Sequence, residues 1–168
     1  AGARRMTLNL SGSASASGPQ LAGSKRLRLA KSHYQTINAN FYGNSGWNRT
    51  YGTTGASRAF WADENSFGAV YVMDDQDIDQ PKYVAYHAGR LALGYAVGSV
   101  LRSAVGDPYN WEGVDGAQEI ATGDRITGLL EVAGDTLIVF GLNSIRRLSA
   151  DGAPTTISSD AGAFDYTA

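Results

Sequence analysis

The sequence predicts an all-β protein of short antiparallel strands in propeller-type blades, about three repeats that this chain does not close alone. Three observations predict it: period-two alternation, abundant turn residues, and a hairpin that recurs at a fixed distance. Glycine supplies 21 of 168 residues and proline only four, which with frequent Ser, Thr and Asn implies many tight turns. No stretch carries a sustained 3.6-residue apolar period with caps at both ends, so long helices are not expected. Hydrophobic residues make up 43% and charged residues 18%, against a usual charged share of about 25%. A packed core follows, and disorder does not.

Along the chain, residues 1–24 read as a flexible or loosely packed segment, because the small-residue tract SGSASASGPQLAGS (11–24) can bury little apolar area. The β region runs over 25–150. It opens with Arg26 and Arg28 alternating with Leu27 and Leu29, a strand with one buried face. Ile37, Ala39 and Phe41 continue the alternation in a second strand, which NSG at 44–46 ends as a turn. Strands are then predicted near 48–53, 57–62, 69–73, 82–87, 90–95, 99–103, 117–121, 126–132, 135–140 and 144–148. Residues 151–168 read as a C-terminal extension.

The repeat is the most informative feature. Ala88-Gly89-Arg90-Leu91-Ala92-Leu93-Gly94-Tyr95 lies 45 residues before Ala133-Gly134-Asp135-Thr136-Leu137-Ile138-Val139-Phe140. At the same offset Ser99-Val100-Leu101-Arg102 meets Ser144-Ile145-Arg146-Arg147, and a weaker copy, 53–60, lies 43 residues earlier. Units of three or four short strands recurring at this spacing have the form of propeller blades, each covered by its neighbour. A β-sandwich or plain meander is the competing arrangement. A closed propeller of typically four to eight blades needs roughly 180–350 residues. Either more polypeptide exists, as the initial Ala also suggests, or other chains complete the structure.

Composition excludes several chemistries. Without Cys there is no disulfide framework, thiolate zinc or thiol nucleophile. The two histidines, His33 and His87, are far apart in sequence, so a His-built metal site is not expected, and a structural imidazole is the simpler reading of His87. No apolar run approaches the roughly 18 residues that span a bilayer, so no membrane anchor is expected. There is no G-x-S-x-G elbow, P-loop or G-x-G-x-x-G fingerprint. Asp63, Glu64, Asp107 and Glu112 are the acids a glycosidase would draw on, but all sit in turn-like contexts. The acidic run 74–79 fails the EF-hand pattern, with Gln80 and Tyr86 where Gly and Glu belong, and reads as a solvated loop. No catalytic residue, cofactor or metal is expected.

Charge is asymmetric. Residues 1–62 hold eight bases and no acid, whereas 63–168 hold all 16 acids and six bases. The run Lys25, Arg26, Arg28, Lys31 is the candidate contact with a charged subunit or with DNA; Arg26 and Arg28 would align about 7 Å apart on one strand face. An edge strand kept soluble by charge is the alternative.

QPKYVAYHAGRLALGY, SAVGDPYNW and GAQEIATGDRITGLLEVAGDTLIVFGLNSIRRL, with NANFYG (38–43) upstream, resemble the propeller part of tailed-bacteriophage tail proteins. Within that group the chain is most similar to the tail nozzle (tail tubular B-like) proteins of short-tailed phages, which are several times longer. The resemblance covers roughly 38–148. It implies a non-enzymatic virion protein, assembled in the host cytoplasm, in a commonly six-fold homo-oligomeric ring that extends the DNA channel and contacts other tail proteins. It also makes Gly106, Asp107, Pro108 and Trp111 a blade-packing turn. Pro108 would fix φ, Asp107 would cap neighbouring amides, and Trp111 would cover the hydrophobic edge of the next blade. The alternative function is a receptor- or glycan-binding module of a fibre or spike, served by exposed aromatics around Trp47, Trp61 or Trp111.

Overall fold

A computed structural model describes residues 35–41, 48–63, 66–133 and 135–164. Residues 1–34, with the basic run and His33, lie outside the described residues, as do the NSG turn, Trp47 and Glu64. Among the described residues twelve strands form three four-stranded antiparallel sheets, each a simple meander. The first sheet comprises β1 (Gln35–Asn40), β2 (Asn48–Thr53), β3 (Phe60–Ala62) and β4 (Phe67–Ala69). The second comprises β5 (Tyr83–His87), β6 (Arg90–Tyr95), β7 (Ser99–Arg102) and β8 (Gln118–Ala121). The third comprises β9 (Ile126–Val132), β10 (Thr136–Gly141), β11 (Ile145–Leu148) and β12 (Pro154–Ser158). The one helical element among the described residues is a 3-10 turn, Gly113–Asp115.

The middle sheet is buried on both faces. Val84, Leu91, Leu93 and Tyr95 pack against Ala39, Phe41, Tyr51, Ala59 and Val70 of the first sheet and its loops. Tyr83, Ala85, Ala92, Val100 and Ile120 point the other way, against Ile126, Leu129, Leu137, Val139 and Leu148 of the third. Strand alternation explains the division: successive residues of β5 and β6 supply opposite cores, so both strands read as nearly continuous apolar runs. The sheets approach most closely at their leading strands, β1 and β2 on β5, then β5 and β6 on β9. Gln35 Oε1 also accepts the Val84 amide at 2.9 Å, satisfying an edge group of β5.

Several sequence expectations shift. The strand expected over 57–62 begins only at Phe60, because 54–59 forms the connection, where Arg58 turns inward to Asp79. The next strand is Phe67–Ala69, earlier than 69–73. Part of the supposed C-terminal extension is β12, which completes the third sheet by pairing with β11. Its sequence PTTIS is almost wholly exposed and carries no alternation to announce it.

Candidate functional site

A groove of about 670 Å³ opens between the first two sheets. One wall is the stretch 71–74 after β4; the other is 107–112, in the connection from β7 to β8. The first wall is braced from beneath by Asp79, which is fully buried. Its Oδ2 accepts Arg58 Nε at 3.0 Å and the Val72 and Met73 amides at 3.2 and 3.4 Å. Its Oδ1 accepts the Tyr95 hydroxyl at 3.1 Å. Burial and the adjacent Asp79 carboxylate push the Tyr95 phenol far above its ordinary value, so it remains a donor. Arg58 Nη2 donates to the Met73 and Asp74 carbonyls at 2.9 and 2.6 Å, and its guanidinium lies 4.6 Å from the Tyr71 ring centroid. Asp79 is therefore no part of a solvated acidic loop. The sequence signal was its place 45 residues before Asp124 of the GDRITGL strand.

The second wall is the turn running from Gly106 to Trp111, for which the resemblance implies a blade-packing role. Gly106 takes φ +76° and its amide donates to Gly89 O at 2.7 Å, a conformation glycine adopts without a Cβ clash. Asp107 Oδ1 accepts the Tyr109 amide at 2.9 Å, closing the turn, and Pro108 is buried. Asn110 Oδ1 accepts the Glu112 amide at 3.0 Å and its Nδ2 donates to Asp115 at 2.8 Å. Trp111 packs on the core shared by the first and second sheets, so the edge it covers faces the preceding sheet. Its Nε1 is buried with no hydrogen-bond partner among the described residues.

The three tryptophans differ in what they offer. Trp47 lies outside the described residues, and Trp61 has its face taken by the Arg49 guanidinium, 3.6 Å from the ring. Trp111 alone of these lines the groove, with Tyr71 and Tyr109. Asp74 and Glu112 add exposed carboxylates, and Asp107 a third acid, partly buried. Aromatic faces beside carboxylates suit stacking and hydroxyl recognition. Among the described residues no three His, Asp or Glu side chains gather as a metal site.

A second polar cluster joins the middle and third sheets. Arg102 and His87 are both fully buried. Arg102 Nη1 donates to His87 Nδ1 at 3.1 Å and to Ala150 O at 2.9 Å, while Nη2 meets Gln118 Oε1. His87 Nε2 then donates to Asp135 O at 3.0 Å. Burial, reinforced by Arg90, lowers the Arg102 pKa to about 10. Burial also lowers that of His87, with Arg102 adding to the effect. The neutral imidazole and buried guanidinium form a sheet-to-sheet clasp, in line with the structural reading of His87.

Comparison of the chain with models of protein families, with curated proteins and with solved structures returns no match.

Proposed function

We propose that this chain is a non-enzymatic structural part of a bacteriophage tail, a nozzle or hub component whose sheets are successive propeller-type blades. The observation that carries the reading is the fan of three meanders. The leading strand β1 packs on β5 and β5 on β9, and the middle sheet is buried by its neighbours on both faces. Blades need this arrangement, since one small sheet cannot bury both faces alone. The resemblance supplies the setting: a homo-oligomeric ring, commonly six-fold in that group, with other tail proteins and room for transient DNA contact along the conduit for genome ejection. The basic run Lys25, Arg26, Arg28, Lys31 belongs in this reading against an acidic patch on a neighbour, because strong phosphate binding would hold DNA back. Antibody against the chain should decorate the tails of purified particles of the phage that encodes it. Absence from particles, with the chain recovered free from infected cells, overturns the reading.

The groove favours a second reading, a glycan-binding module of a fibre or spike. Tyr71, Tyr109 and Trp111 beside Asp74 and Glu112 offer stacking faces and hydroxyl acceptors. Titration with host surface oligosaccharides separates the two: saturable binding lost in Trp111→Ala supports this module, and no binding by the folded chain removes it.

A further inference from the structure

The outer face of the third sheet is built like a face that the second sheet buries. In the second sheet, Ala85, Ala92, Arg102 and Gln118 form one cross-strand row, and Tyr83, Gly94, Val100 and Ile120 the next. Both rows face the third sheet. Equivalent rungs of the third sheet read Leu130, Ile138, Arg147, Thr155 and Gly128, Phe140, Ile145, Ser158. Their side chains point away from the second sheet, because Leu129, Leu137, Val139 and Leu148 point towards it. Arg147 thus occupies the rung of Arg102. Yet Leu130 is 51% exposed, Ile138, Phe140 and Ile145 are only partly covered, and Arg147 is exposed. An apolar row carrying one arginine is normal for the inside of this fold and abnormal for its surface.

We propose that this face docks the first sheet of a second copy of the chain, head to tail. The proposal rests on reading successive sheets as blades, and it names the surfaces that meet. The first sheet's outer face carries no charged residue along its described strands: it presents Thr36, Asn38, Thr50, Phe60 and Phe67. Within the chain, Arg102 reaches the turn between β11 and β12, where Asp151 accepts the Ala153 amide at 3.1 Å. In the counterpart connection of the first sheet, between β3 and β4, Asp63 accepts the Ser66 amide at 2.7 Å. Arg147 of one copy would meet that connection on the next, where Asp63 already accepts Arg49 Nε of its own sheet at 3.2 Å, so the carboxylate would be shared between two cations. Such a contact is heterologous, so copies follow one another until the rotation closes a ring.

Light scattering and sedimentation of the full chain should give a mass at a multiple of 17.7 kDa. Leu130→Glu and, separately, Phe67→Glu should each weaken assembly about tenfold or more while far-ultraviolet dichroism stays that of the parent. Both positions are exposed in the single chain, so neither variant should unfold it. Mixing the two variants leaves one sound face on each, and should restore a pair that stops at two copies. A parent that is monomeric at every concentration overturns the proposal. So does assembly that resists Phe67→Glu but not Leu130→Glu, since the third sheet would then meet its own kind. Neither result touches tail placement, which the particle labelling tests independently.

Discussion

Arg102 Nη1 lies 3.1 Å from His87 Nδ1, with both side chains sealed between the second and third sheets. The guanidinium can only donate, so it holds the imidazole as the tautomer protonated at Nε2, which donates to Asp135 O. Protonating Nδ1 would set two cations donor to donor. The folded pKa of His87 is therefore below the unfolded value, and the unfolded chain binds more protons just below about pH 6.5. Stability should be full above that pH and fall as pH drops through it towards the folded pKa. Urea unfolding at pH 7.5 and 5.5 measures the drop, and His87→Gln should flatten the difference.

Removing Arg58 should cost more than its exposure suggests. Asp79 would keep a buried charge with its cation gone, which typically costs about 3–5 kcal/mol. Arg58→Ala should lower the urea midpoint accordingly, and fluorescence from the groove tryptophan should change as 71–74 loosens. Asp79→Asn, which removes the charge as well, should cost less than Arg58→Ala.

Ala88 takes φ +50° beside Gly89 at +75°, the pair of positive angles of a two-residue type I′ hairpin between His87 and Arg90. A side chain in this region costs roughly 1 kcal/mol, and asparagine tolerates it best. Ala88→Asn should stabilise the protein by about 0.5–1 kcal/mol, read as a higher melting temperature. A lower melting temperature would show that Ala88 packs in a way asparagine cannot match.

Gly94 leaves room for Leu129 of the third sheet against the second. A Cβ there would stand 3.2 Å from Leu129 Cδ1 and from Tyr83 Cβ. Gly94→Val should push the sheets apart and cost about 1–3 kcal/mol by overpacking, measured by chemical denaturation. Gly113, with nothing near its added Cβ, should accept Ala with little change.

Much of the strand layout was legible because the central strands carry apolar residues towards a core, on both faces in β5 and β6. Arg90–Tyr95 and Ile126–Val132 fall where the alternation and run length place them. The repeat was legible in sequence but slipped in space. Ala88 and Gly89 close one hairpin with two residues, whereas Val132 opposes Thr136 across three. β10 therefore runs 46 residues after β6. Matching at 45 sets Ala92, which faces the third sheet, against Leu137, which faces the second. One residue of slip exchanges the faces of a strand. The groove was only half legible: the Gly106–Trp111 turn announced itself, but Arg58 and Asp79 are 21 residues apart and look like ordinary surface charges. Pro154–Ser158 stayed hidden because an exposed edge strand has no buried side to pattern.

The middle sheet's double burial also governs how the molecule opens. The side chains of Leu91, Leu93 and Ala92 cannot all meet water unless both neighbouring sheets have swung away. Amide protons along β6 should therefore be the last to exchange for deuterium, those of β12 should vanish first, and intermediate loss should proceed from either flank inwards.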